Sequence, residues 1–216
     1  AGVAHEINNP IAVIQGNLDL LRELLGSAAQ PAAAELTLID QQIERMRLIV
    51  TQLLQFARPT EFAGYVDSVQ PAQVFDDCLV LVGHLLAKTH IQVRRQFDSP
   101  RTVSINRQEL QQVLVNLLVN AIHAMPQGGR LDLQVLDAAD GCVHLVVADT
   151  GSGLSAELMA QLFQPFVTRK KDGTGLGLWI SRNLVERYGG DITAANRSDG
   201  SSGAVFTVQL KGEAAG

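Results

Sequence analysis

The chain has 216 residues, 46% of them hydrophobic and 18% charged, with a formal net charge of −5. Such a length suits one large soluble domain or two small ones, and the mild acidity argues against sequence-independent nucleic-acid binding, which needs a basic face. No apolar run approaches the ~18 residues of a membrane span, so no membrane contact by this stretch is expected.

Two amphipathic helices come first. Ile7, Ile11, Ile14, Leu18, Leu21 and Leu25 follow one another at heptad spacing. After a break at GSAAQP, Leu36, Ile39, Ile43, Met46, Val50, Leu53 and Ala57 repeat the rhythm until Arg58-Pro59. A short connection makes the pair an antiparallel hairpin over 1–58, about 30–35 Å long at ~1.5 Å per residue. One seam buries too little apolar surface alone, so two copies are expected to form a four-helix bundle. The alternative is a hairpin packed on the rest of its own chain.

Inside the first helix stands Pro10, which deletes the backbone hydrogen bond to the Glu6 carbonyl at a typical cost of ~3 kcal/mol. His5 lies about 160° from the Ile7 seam and shares a solvent face with Asn9, four residues on. A neutral imidazole is a competent nucleophile near its ordinary pKa of ~6.5. A carboxylate that holds the proton of one ring nitrogen frees the other to attack, and Glu6 is the candidate.

A linker over 59–70 separates the hairpin from a mixed α and β region over 71–212, with 213–216 left as a tail. Pro71 to Thr89 reads as a helix with proline in its first turn. IQVRRQF and TVSI read as strands. Asn106, with Glu109 three residues on, opens a helix through LQQVLVNLLVNAIHAM. RLDLQVLD and CVHLVVAD are strands, a short helix starts at Ser155, and GLGLWISRNLVERYG is a longer helix. DITAA and AVFTVQL close the sheet. Strands and helices mix without regular βαβ alternation, which makes this part α+β. Cys78 and Cys142, both in apolar stretches, speak against a disulfide framework and fit a reducing compartment. No signal peptide is visible, and a chain that lacks an initiator Met is expected to be a piece of something longer.

Three stretches carry chemistry. Asn116 and Asn120 sit at i and i+4 of an apolar helix, and amide oxygens there can hold Mg²⁺ or phosphate oxygens; ordinary core hydrogen bonding is the competing explanation. In VVADTGSGL, Asp149 ends a buried strand and is placed to accept from an exocyclic amine such as that of adenine; a plain turn is the alternative. DGTGLGLWISR runs a glycine-rich loop into a helix N-terminus, where backbone N–H groups and the helix field favour phosphate. It matches neither the dinucleotide fingerprint nor a Walker loop.

The order of these pieces resembles the catalytic core of a sensor histidine kinase with a GHKL-type ATP-binding domain. HEINNP is similar to the phosphoacceptor box, NLLVNAIHAM to the asparagine box, DTGSGL to the first glycine box, LFQPFVTRK to the phenylalanine box and GTGLGL to the second glycine box. The resemblance covers nearly the whole chain and implies the fold: a helical hairpin that dimerises into a four-helix bundle, then an α+β sandwich. It implies ATP-dependent phosphorylation of His5, assisted by Glu6, and transfer to an aspartate of a response-regulator receiver domain. Asn9, four residues past the acceptor, implies phosphatase activity toward that regulator. Pro10 would loosen the helix beside His5 so that the imidazole can meet first a γ-phosphate and then a partner.

By the same resemblance Asn116 would ligate Mg²⁺ and Asn120 would help hold the phosphates. Asp149 would read the adenine amine, with Thr150, Gly151 and Gly153 shaping that end. Gly173, Thr174, Gly175, Leu176 and Gly177 would line the phosphates. A lid between Leu154 and Gly173, anchored by Phe163 and Phe166, would bring Thr168, Arg169, Lys170 and Lys171 near the nucleotide. Gln112 stands where other GHKL ATPases often carry a glutamate base for water, which fits transfer to histidine better than hydrolysis. The implied cofactors are ATP and Mg²⁺, the implied partners a second copy and a receiver domain, and the implied location cytoplasmic, whether or not the parent protein is membrane-anchored. A GHKL ATPase clamp and a non-catalytic ATP-binding or phosphatase-only regulator are the rival functions.

Overall fold

The computed structural model describes the backbone of residues 2–56, 66–168 and 173–213, and side chains from residue 9 onward except 45, 47–49 and 51–56. The chain divides into two compact units, 1–62 with 168–176, and 63–167 with 177–216.

The first unit is built on α1 (Gly2–Leu25) and α2 (Ala33–Phe56), joined by a 3₁₀ stretch, Gly26–Ala32. α1 runs through Pro10 without interruption. Alternate seam positions behave differently. Ile11, Leu18, Leu36 and Ile43 form the hairpin's buried cluster, with Ala29 and Val50 packed on it. The seam positions between them stay open: Ile14 is 47% exposed, Leu21 45% and Ile39 44%, against 1% for Ile43. The hairpin thus satisfies one of its two heptad positions, spaced by seven residues along each helix. Polar contacts fix the register: Gln15 donates to Asp19 and to Asp40, both at 3.1 Å. Arg22 pairs with Asp40. The Gln15 amide, and then Arg22, hold the Asp40 carboxyl below the usual range.

The second unit begins with β1 (Asp67–Val69), α3 (Pro71–Leu81), α4 (Gly83–Leu86), β2 (Ile91–Phe97) and β3 (Thr102–Ile105). Then come α5 (Arg107–Ala124), β4 (Gly129–Asp137), β5 (Cys142–Asp149), α6 (Ala156–Gln161), α7 (Gly177–Arg187), β6 (Asp191–Asn196) and β7 (Ala204–Glu213). Along the sheet the order is β1-β3-β7-β5-β4-β2, with β6 also pairing β7. β2 and β4 are parallel; the other pairs are antiparallel.

α5 organises this unit. Leu110, Val113, Leu114, Leu117, Leu118, Ala121 and Ile122 are all buried, a stripe at the 3.6-residue period. Each of its leucine, valine and isoleucine side chains contributes ~1.5–3 kcal/mol on burial. The stripe meets strands that alternate: Leu131, Leu133 and Val135 of β4 and Val143, Leu145 and Val147 of β5 are buried, while Gln134, His144 and Val146 between them are half-buried on the other face. Asn106 caps α5, its side-chain oxygen accepting from the N–H groups of Gln108 and Glu109 at 3.0 and 3.1 Å. Glu109 accepts from Arg187 (2.7 Å) and Tyr188 (2.6 Å), tying the start of α5 to the end of α7.

Three expectations shift. The helix read over 71–89 breaks at Val82, ahead of Gly83, and only the four-residue α4 follows. Asp67–Val69, read as linker, forms an edge strand on β3, with Val69 buried opposite Val103. The rest of the linker, 57–65, lies outside the described residues. Glu213, read as the first tail residue, belongs to β7 and accepts from Ser104 at 2.5 Å. Cys78 and Cys142 are free, and burial pushes the Cys78 thiol up to about 12. Among the described residues, no helix is long and apolar enough to cross a membrane.

Candidate functional site

Asp149 closes β5 on the helix-facing side and is 1% exposed. Its Oδ1 accepts from the backbone N–H of Gly151 (2.8 Å) and of Ala204 (3.3 Å). Oδ2 bonds to no described residue. Burial pushes this carboxyl above the ordinary range, against the lowering pull of those two N–H groups and of Arg197. A buried acid with one oxygen fixed and one unused is equipped to accept a hydrogen bond from a ligand.

The turn after Asp149 lies against the end of α5. A Cβ at Gly151 would run into the Ala124 carbonyl oxygen, so only glycine permits that approach. Thr150 accepts from the Arg130 N–H at 2.8 Å, and its own N–H points at the Met125 sulfur at 3.4 Å. Gly153 follows with φ of 71°. Leu154 and Asn196 then exchange hydrogen bonds at 2.7 and 2.8 Å.

Behind the turn, Arg197 donates to Asp132 (2.9 Å) and to the Asp149 carbonyl (3.4 Å). Its other nitrogens fork onto Asp199, whose carboxyl the guanidinium holds well below the usual range. Arg197, between the strands read at DITAA and AVFTVQL, is not among the residues that the sequence singles out. An arginine two residues from an aspartate in a turn-rich stretch was the available signal.

Asn116 and Asn120 come together on the flank of α5. Asn120 Nδ2 stands 3.5 Å from Asn116 Oδ1. Asn116 Nδ2 donates to Ser181 Oγ of α7 at 2.9 Å. A Cβ at Gly177 would collide with Asn116 Oδ1, so the missing side chain is what admits the amide to the start of α7. An amide oxygen is a hard ligand of the kind Mg²⁺ takes, and the fit is chemically sound. Gln112, one turn earlier, is exposed. Because Asn116, Asn120 and Ala124 follow at four-residue steps, one face of α5 carries Asn116 and the contact with the Asp149 turn about 12 Å apart, with Asn120 midway, at ~1.5 Å per residue.

In the segment between, Ser155 caps α6, accepting from Leu158 at 3.2 Å. The Arg182 guanidinium lies 5.1 Å from the Phe163 ring centre. Phe166, expected to anchor the lid beside Phe163, is 61% exposed with φ of 67°, so only Phe163 packs. Thr174 and Leu176 are buried, Gly173 and Gly175 half-buried, and the Leu176 N–H points to Thr174 Oγ1 at 3.4 Å. Arg169, Lys170 and Lys171 lie outside the described residues. So do the side chains of His5 and Glu6, whose backbone belongs to α1; Asn9, a turn on, is exposed. On the opposite face of the sheet a groove of about 480 Å³ is lined by Arg94, Arg130, Asp132, Arg197 and their neighbours, and reaches the back of the Asp149 turn through Arg130 and Arg197.

Two family models match. "Histidine kinase-, DNA gyrase B-, and HSP90-like ATPase" covers residues 105–214, and "His Kinase A (phospho-acceptor) domain" covers residues 1–62. The C4-dicarboxylate transport sensor protein DctB of Rhizobium meliloti (strain 1021) is 38% identical over 215 residues, 98% of this chain and 34% of that protein. Full-length ShkA in complex with AMPPNP is similar at a TM-score of 0.72 and 25% identity, over 99% of this chain and 45% of that one. Histidine kinase ThkA in complex with response regulator protein TrrA is similar at 0.67 and 27%, over 96% and 59%. The chain thus spans about a third of the length of the curated relative. With one model over the hairpin and the other over more than half of the chain, the chain belongs to the histidine kinase family, of which it carries the catalytic core.

Proposed function

We propose that the chain transfers the γ-phosphoryl group of ATP to His5 and then to an aspartate of a response-regulator receiver domain, as a cytoplasmic module. The observation that carries this reading is the shared face of α5, which links the Asn116–Asn120 pair to the Asp149 turn at a spacing suited to an extended nucleotide. Similarity to a kinase bound to AMPPNP and to one bound to a response regulator supports it.

Asp149 Oδ2 accepts from the adenine amine, and Thr150, Gly151 and Gly153 shape the turn around it. Asn120 and the backbone of Gly173, Thr174, Gly175, Leu176 and Gly177 hold the phosphates, with Lys170 and Lys171 adding charge. Asn116 offers its amide oxygen to Mg²⁺, which when bound neutralises phosphate charge. Positioning and charge do most of the work in such transfers. The imidazole of His5 attacks the γ-phosphorus while Glu6 takes the ring proton, a phosphorus–nitrogen bond forms, the bond to the β-phosphate oxygen breaks, and ADP leaves. Exposed Asn9 orients water for dephosphorylating the regulator. Label from γ-labelled ATP should be acid-labile, base-stable and absent from His5→Gln; Asn9→Ala should keep the label and lose phosphatase activity. Label-free ATP turnover would indicate the clamp ATPase instead, and absence of turnover the non-catalytic regulator.

The open heptad positions Ile14, Leu21, Ile39 and Met46 support a second copy completing a four-helix bundle. Sedimentation should give a dimer for the wild type, and Ile14→Glu with Ile39→Glu should shift it to monomer; a monomeric wild type would end the bundle reading.

The raised Asp149 carboxyl gives a pH signature. With Oδ1 held by two N–H groups, protonation falls on Oδ2, the oxygen offered to the amine, and weakens its acceptance, so ATP affinity should begin to fall on acidification above the ordinary carboxylate range. Stability has the opposite sign: the folded chain holds this proton more tightly than the unfolded one, so the contribution is present at low pH and fades as pH rises through the raised value. Asp149→Asn should weaken ATP binding about 10- to 100-fold, the worth of a hydrogen bond to a charged group, and flatten the pH profile in a calorimetric titration.

A further inference from the structure

Among the residues around Asn116, one has no part in the reading above. Ser181 stands on the buried face of α7 beside Ile180, Leu184 and Val185, and is 2% exposed. A hydroxyl among apolar neighbours requires a partner, because leaving it unpaired costs about 1–3 kcal/mol. Its partner is the Asn116 amide nitrogen, 2.9 Å away.

We propose that Ser181 is a positioning residue that turns the Asn116 amide so that its oxygen, and not its nitrogen, is offered to the metal of a bound Mg²⁺–nucleotide. This rests on the reading of Asn116 as the Mg²⁺ ligand. The two ends of an asparagine amide are nearly equal in size but opposite in chemistry. The oxygen donates a lone pair to a hard cation, while the NH₂ group presents only protons to it. A freely turning amide spends part of its time with the wrong end forward.

Three contacts select one orientation. Ser181 Oγ accepts from Nδ2, Asn120 Nδ2 faces Oδ1, and Oδ1 occupies the space a side chain at Gly177 would fill. A hydroxyl can also donate, so Ser181 alone would hold either end. The start of α7 breaks the tie, because the positive end of a helix favours the amide oxygen over its protons. Reversing the amide would set its NH₂ group against the Asn120 NH₂ and against the start of α7 at Gly177. Ser181 then supplies the anchor that makes the favoured orientation rigid, as residues behind a metal ligand commonly do.

Loss of such an anchor typically lowers metal affinity 10–100-fold. The test is the fluorescence of bound trinitrophenyl-ATP, titrated with Mg²⁺ in the full chain and repeated in EDTA. Ser181→Ala should raise the half-saturating Mg²⁺ about 10-fold while leaving affinity in EDTA within about twofold of wild type. Ser181→Thr, which keeps the hydroxyl, should restore the wild-type Mg²⁺ dependence. Unchanged half-saturation in Ser181→Ala, an equal loss with and without Mg²⁺, or a Ser181→Thr protein that binds nucleotide in EDTA yet behaves as Ser181→Ala would overturn the proposal. A wild-type protein indifferent to Mg²⁺ would remove the role of Asn116 itself, and that of Ser181 with it. A wild type that responds to Mg²⁺ beside an unaltered Ser181→Ala would remove only the latter.

Discussion

The seating of α5 on the sheet is the contact on which the rest of the second unit depends. Seven buried apolar residues at helical period fix both the depth and the rotation of that helix against the sheet at β5. Rotation matters more than depth. A turn of one residue, about 100°, would carry Asn116 away from α7 and Ala124 away from Gly151. The apolar stripe therefore specifies the polar site. Packing at crystal-like density makes such a rotation costly, so a stable core doubles as a precise mount.

The hairpin shows the complementary case, a pattern only half used. One heptad position of each helix is buried against the other helix and the next is left to solvent. A helix pair evolved as a self-sufficient hairpin would have polar residues at Ile14 and Ile39. Their apolar character is an economy only if a further helix surface covers them. The proposed acceptor, His5, thus lies on α1, the helix whose open apolar positions the proposed second copy would cover.

Much of this was legible in the sequence because it is local. The α5 stripe, its Asn106 cap, and the strands at 91–97 and 102–105 follow from spacing within a few residues, and the structure has them at those places. The edge strand at 67–69 was not legible, since three residues carry no period and their pairing with β3 is decided elsewhere in the chain. The break at Val82 replaced one expected helix by two because a following glycine weakens a helix without forbidding it. Asp149 and the two asparagines announced themselves as polar residues in apolar settings. Ser181 carried the same signal on α7 and was passed over, because a small hydroxyl is easily accommodated in a helix. Arg197 was hidden more deeply. Its partners Asp132 and the Asp149 carbonyl are 65 and 48 residues away, and no local pattern joins them.

In the proposed function one face of α5 serves both ends of a single bound nucleotide. Titrating isotopically labelled protein with AMPPNP and Mg²⁺, and following the side-chain amides of Asn116 and Asn120 together with the backbone amides of Gly151 and Gly153, measures it directly. All four should move together along one binding curve. Shifts confined to the open sheet face around Arg94 and Arg130, or a response at the Asp149 turn with the two asparagines silent, would contradict it.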